Sequence, residues 1–233
     1  MTFDLVAIWA HMGLLARSIA FVLLVMAVAS VGVVVERFIT FAKASSASKA
    51  FAAAAVPLIE RWQLEKLVKT AQAHKASPLA SLFERMTSSY LRGKEKAGEM
   101  TPVDMARNEA ARRMEASGAD LRRGMSVLAS VGSVAPFVGL LGTVVGIIGA
   151  FQAIGVSGSA GLSSVMAGIS EALIETAFGL IVAIPAVLFF NYLSARVAGI
   201  ELALGRSMGE LLDEMENNHG RKQEADDSQE QAA

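Results

Sequence analysis

Two carboxylates four residues apart open an otherwise apolar run. In ISEALIETAFGLIVAIPAVLFF, Ile169 to Phe190, Glu171 and Glu175 fall on one helical face, and no charge follows until Arg196. A carboxylate at membrane depth is costly and usually faces a bundle interior or a water-filled cavity, where it can take up and release a proton. Thr176 follows Glu175 directly, and Thr143 sits in the middle of a second apolar run upstream. Measured from the turn between the two runs, the threonines have similar depths, so an antiparallel hairpin can place them in one layer. Each alone is weak, because a threonine can satisfy its hydroxyl on its own helix. The glutamates read in two ways. They form either a polar rim ending the helix in the outer headgroups or a pair facing a polar interior. The 21 residues from Glu175 to Arg196 span about 31 Å, roughly the whole hydrocarbon thickness, so depth alone does not separate these readings.

The elements that position these groups follow from apolarity and charge. Hydrophobic residues make up 53% of the 233 and charged residues 18%, with a mean hydropathy of +0.46. Lys plus Arg number 1 in residues 1–35, 16 in 36–125, none in 126–195 and 4 in 196–233. A span needs about 20 apolar residues. Ser18–Val35, Ser126–Ser170 interrupted by the Gly/Ser turn GVSGSAGLSS, and Thr176–Ala195 supply three such runs. The expected order is a short N-terminal segment 1–13, spans at 14–35, 126–154 and 165–195, and a turn at 155–164. A cytoplasmic helical region fills 36–125, a cytoplasmic helix 196–216 and a disordered tail 217–233. The positive-inside rule puts the basic block and the C-terminus in the cytoplasm, and the N-terminus and turn on the far side. A cleaved signal peptide over residues 1–29 is the alternative for the first run, but VGVVV continues it and Arg17 is the only base ahead of it.

Within the polar region, Ser77-Pro78 and Thr101-Pro102 with Asp104 read as helix starts. No proline intervenes from Pro102 to Pro136, so one helix of about 75 Å is expected to run from Pro102 to Gln152, with Gly118 and Gly124 weakening but not ending it. The basic segment then reads as a helical extension rather than a separate globular domain. In the second run, Gly139, Gly142, Gly146 and Gly149 form a small-residue stripe that lets another backbone approach, and Pro136 bends the helix. Gly179 and Pro185 answer in the third run.

Other chemistry finds little support. The net charge of −1 gives no sign of nucleic-acid binding. There is no cysteine, and His11, His74 and His219 lie outside the runs, so no catalytic pair, metal site or cofactor is expected.

The hairpin sequences VGSVAPFVGLLGTVVGIIGAF and ISEALIETAFGLIVAIPAVLFFNYL resemble the signature of the MotA/TolQ/ExbB proton-channel family, with ERFITFAKA similar as well. Three spans and a short chain look like the TolQ/ExbB branch. The resemblance implies an all-α membrane protein assembling as a homopentameric ring in the bacterial inner membrane, N-terminus periplasmic and C-terminus cytoplasmic. Its pore would enclose a single-span ExbD/TolR-like partner bearing a transmembrane aspartate. The stator subunit would convert the proton gradient into mechanical work on the cell envelope, acting on a TonB/TolA-like or gliding-machinery protein. By position, Glu171 matches the family's pore glutamate, and Thr143 and Thr176 its two pore threonines. Glu175 departs from the pattern, which more often carries a small residue there. The alternative is a non-conducting scaffold in which the same hairpin packs and recruits a partner.

Overall fold

The computed structural model describes residues 13–95, 99–157 and 162–230, all helical apart from short connections. Among the described residues six helices follow in order: α1 Leu14–Glu60, α2 Leu64–Ala73, α3 Pro78–Glu95, α4 Pro102–Arg122, α5 Met125–Ser157 and α6 Leu162–Glu230. Three of them, α1, α5 and α6, are long and apolar enough to cross a membrane. The chain forms two compact units. One comprises the chain up to Arg37 with Gly124–Ser194, the other Phe38–Arg123 with the chain from Ala195.

The first unit has a thin core. Ile19 and Leu23 of α1 meet Val131 and Ala135 of α5 and Ala183 and Ala186 of α6. Most large apolar side chains point outward instead, Phe137 being 70% exposed. That inversion suits a lipid solvent, in which an exposed apolar surface has no cost. Serine hydroxyls in these apolar stretches bond within their own helices, Ser30 Oγ to the Met26 carbonyl at 2.9 Å and Ser133 Oγ to Ser130 at 3.1 Å. Pro136 and Pro185 both stand inside continuous helices.

The second unit corrects the expectation of a mere extension. Phe51, Leu64, Leu67, Leu82, Met86 and Tyr90 pack with Leu204, Leu211 and Met215 in one buried core. Apolar stripes on five helical segments need a common interior, and tight breaks let them fold back to share it. The break after α1 is one that no glycine announces. Trp62 adopts a left-handed φ of 52°, while Gln63 N–H bonds the Leu58 carbonyl at 2.8 Å and Trp62 N–H that of Ile59 at 2.9 Å. This is a Schellman termination with tryptophan where glycine usually sits, at about 1–2 kcal/mol of backbone cost. The Trp62 ring packs edge-on against Tyr90, with 6.2 Å between centroids.

The two predicted helix starts form as read. Ser77 Oγ accepts from Ala80 N–H at 3.0 Å; Thr101 Oγ1 accepts from Asp104 N–H at 3.1 Å. The single long helix does not form. Gly124 has φ +76°, so α4 ends at Arg122 and α5 starts afresh at Met125. Only a residue lacking Cβ takes that conformation cheaply. α4 is also tied to α6 by Arg122, whose two terminal nitrogens meet both Glu201 oxygens at 2.8 Å, and by the Arg107–Glu216 pair. A Cβ on Gly118 would lie 2.6 Å from Glu201 Oε1, so glycine makes room for that carboxylate. At the C-terminus, α6 continues to Glu230 past residue 217, where composition predicts disorder. A helix already nucleated extends cheaply through Glu, Gln, Lys and Ala. Residues 1–12, including His11, and the centre of the Gly/Ser turn lie outside the described residues; the flanks of that turn are helical.

Tyr90 supplies a test of this core. Its side chain is fully buried, burial pushes its phenol above the ordinary value, and its hydroxyl has no hydrogen-bond partner among the described residues. Tyr90→Phe is therefore expected to keep the fold and raise its stability by about 1 kcal/mol, read from denaturant unfolding. A loss of that size instead would mean the hydroxyl is satisfied in the folded protein.

Candidate functional site

α5 and the first half of α6 form the antiparallel hairpin expected from the sequence. Gly132 lies against Val187, Gly139 against Gly179, Gly146 against Ala172 and Ala150 against Gly168, so residue numbers rise along one helix as they fall along the other. The approach is closest at Gly139 and Gly179. A Cβ on Gly179 would meet the Ala135 carbonyl oxygen at 2.7 Å and Gly139 Cα at 3.1 Å. These are backbone atoms, which can yield only if the helices separate. Three of the four predicted stripe glycines, Gly139, Gly142 and Gly146, line this contact. Gly149 does not: among the described residues nothing lies within 4 Å of a Cβ placed there. Helical advance has rotated it off the shared face by the end of the stripe. Gly132 and Gly168, not singled out from the sequence, join the contact; their signal was small-residue spacing continuing to either side.

The close approach brings Thr143 and Thr176 together. Their hydroxyls bond one another across the hairpin. Thr143 Oγ1 also donates toward the carbonyls of Gly139 and Ala172, each at 3.3 Å, and Thr176 Oγ1 toward Gly139 at 3.0 Å. Two hydroxyl protons thus face two carbonyls and each other's oxygen. More than one donor assignment satisfies this layer, which lets the proton pattern rearrange without side-chain movement.

Glu175 lies at the same level. It is 2% exposed, and its Oε2 is buried without a hydrogen-bond partner among the described residues. Its side chain covers Gly142, where a Cβ would collide with Oε2. Gly142 therefore serves less as a generic packing residue than as the floor under a carboxyl group. An unpartnered carboxyl oxygen in an apolar hairpin is costly to keep. Glu171, one turn earlier, is half-buried and has an interaction of its own. The i,i+4 spacing correctly put the two acids on one face. It did not reveal that the one departing from the family pattern would be the more deeply enclosed. Among the described residues no cluster of potential metal ligands occurs.

Comparison with known proteins follows the same segment. Residues 77–205, more than half of the chain, match the MotA/TolQ/ExbB proton channel family. The chain is 53% identical over 92 residues to the biopolymer transport protein ExbB of Xanthomonas campestris pv. campestris, covering 40% of this chain and 35% of that protein. It is 34% identical over 165 residues to the ExbB of Pseudomonas putida, covering 65% and 49%. It is 44% identical over 114 residues to the Tol-Pal system protein TolQ of Haemophilus influenzae, covering 49% and 47%. The chain thus spans at most about half the length of these curated relatives. With the family match running through both membrane-length arms of the hairpin and over more than half of its residues, the protein belongs to the MotA/TolQ/ExbB proton channel family.

Proposed function

We propose that the chain is the channel-forming stator subunit of a proton-driven motor in the bacterial inner membrane, its N-terminus periplasmic and its C-terminus cytoplasmic. It assembles as a pentamer around the transmembrane helix of an ExbD/TolR-like partner. Protons descending their gradient through the assembly move that partner, which works on a TonB/TolA-like or gliding-machinery protein in import, envelope maintenance or motility. The family membership and the names of the relatives support this reading. The observation that carries it is the polar layer inside an apolar hairpin: paired Thr143 and Thr176 hydroxyls beside the buried, unpartnered Glu175 oxygen, with Glu171 one turn away. A single elementary charge crossing 100 mV is worth about 2.3 kcal/mol, so a relay of neutral hydroxyls and protonatable carboxyls has energy to transmit. Glu171 is the proposed entry carboxyl, and Glu175 extends the hydrophilic path toward the threonines.

A second reading has one observation in its favour. Both threonine hydroxyls find acceptors inside the hairpin itself, as packing hydrogen bonds in a non-conducting scaffold would. The double variant Thr143→Val/Thr176→Val separates the two. On the channel reading, proton flux through proteoliposomes holding this chain and its partner falls at least about tenfold, while the melting temperature drops only slightly. Interhelical hydrogen bonds in membranes average about 0.6 kcal/mol. Unchanged flux, or no flux in the unaltered complex, would leave the scaffold standing.

A further inference from the structure

The unit built on Phe38–Arg123 contains a cavity of about 280 Å3 that the proposed proton path does not use. α1 contributes Lys43 to it, the turn before α3 contributes Lys75 and Ser77, and α4 contributes Arg113, Ser117 and Asp120. Three of these six are cations, and Asp120 is the only acid. None of the three cations is ion-paired with a carboxylate among the described residues, while Asp120 has an interaction of its own. The Arg113 Nε–H is buried and has no hydrogen-bond acceptor among the described residues. Ser77 and Ser117 are buried. Pro78, the first residue of the 18-residue α3, also lines the cavity, so the positive end of that helix adds to the side-chain charges.

Bases on the cytoplasmic side of a membrane protein normally fix topology and stay scattered in water. Here they converge, and one guanidinium donor has been taken out of water with nothing to receive it, an arrangement that favours a bound oxyanion. We infer that this cavity binds a phosphate group. Arg113 presents planar donors matched to phosphate oxygens, Lys43 and Lys75 close over it as point charges, and the Ser117 hydroxyl adds a neutral hydrogen bond. The volume admits a phosphate with part of the ester that carries it. Lys43 follows Val35, the last residue of the first uncharged run, by eight positions, so an anionic lipid headgroup is one source and a soluble phosphate the other. The inference does not depend on proton conduction.

The test uses the full chain in two settings. In detergent micelles, inorganic phosphate replaces chloride at constant ionic strength while the unfolding midpoint is followed. In nanodiscs, phosphatidylcholine is compared with phosphatidylcholine containing phosphatidylglycerol. A higher midpoint with phosphate identifies a soluble ligand, a higher midpoint only with phosphatidylglycerol identifies the headgroup, and both support the site. Arg113→Gln is expected to weaken the response about tenfold in apparent affinity, the scale of one charge-assisted hydrogen bond. Lys43→Gln/Lys75→Gln, at exposed positions, keeps the question open to refutation if the arginine variant fails to fold. The inference is overturned if the unaltered chain responds to neither probe, or if the lysine variant responds as the unaltered chain does.

Discussion

Glu171→Gln is expected to abolish the proposed proton-driven output, by about a hundredfold or more, while the chain still assembles with the proposed single-span partner. Glutamine keeps the length and hydrogen-bonding shape of glutamate but cannot take up and release a proton, and positioned proton transfer is worth about 10² to 10⁴ in rate. Glu171 is half-buried, which suits the entry role proposed for it. Glu175→Gln provides the contrast. Its carboxyl is enclosed over Gly142 with one oxygen unpartnered, so neutralising it should raise the thermal stability of the isolated protein. It should slow proton flux by no more than about tenfold, a balance in which a costly buried group serves function at the expense of stability. Flux through proteoliposomes carrying a pH-sensitive dye, with co-purification of the partner, measures both variants. Wild-type flux in Glu171→Gln would refute its carboxylate role. A larger loss in Glu175→Gln than in Glu171→Gln would make Glu175 the dominant carboxyl.

Gly179→Val should have the largest structural effect of any single change in the hairpin. Its Cβ would enter the space of the Ala135 carbonyl and Gly139 Cα, and backbone atoms cannot rotate away as a side chain can. Overpacking of this kind costs typically 1–3 kcal/mol. Relief by separating the helices pulls the Thr143 and Thr176 hydroxyls apart, adding the loss of their hydrogen bonds. The expected result is a sharply lowered unfolding midpoint in detergent, together with loss of flux. Gly149→Val is the control. With nothing within 4 Å of its Cβ, it should leave the midpoint of the isolated chain unchanged. Comparable destabilisation by the two would mean that the α5–α6 register differs from the one described.

Local chemistry made much of this legible in advance. Long uncharged runs require helices in lipid because no other single segment satisfies its own backbone, so the three spans could be read from the placement of Lys and Arg alone. Ser77 and Thr101 announced their helices because an N-cap depends on residues within one turn of itself. The turn-centred symmetry of Thr143 and Thr176 was enough to pair them, since a short connection constrains depth.

What needed tertiary structure was everything set by rotation and by non-local packing. Gly124 could have continued a helix at modest cost, and only the packing around it decided that the chain would turn there with a left-handed φ. Trp62 ends α1 without any breaker residue, stabilised by a ring contact with a tyrosine 28 positions away. Periodicity made the stripes of α1 through α4 and of α6 visible but not which stripes would share one core. The sequence by itself determined the three membrane-length helices, the caps of α3 and α4, and the placing of two carboxylates on one face. The rotation of α5 against α6 alone decided that Glu175 would lie over Gly142 and that Gly149 would face away, because a few tens of degrees about a helix axis separates an enclosed side chain from an open one.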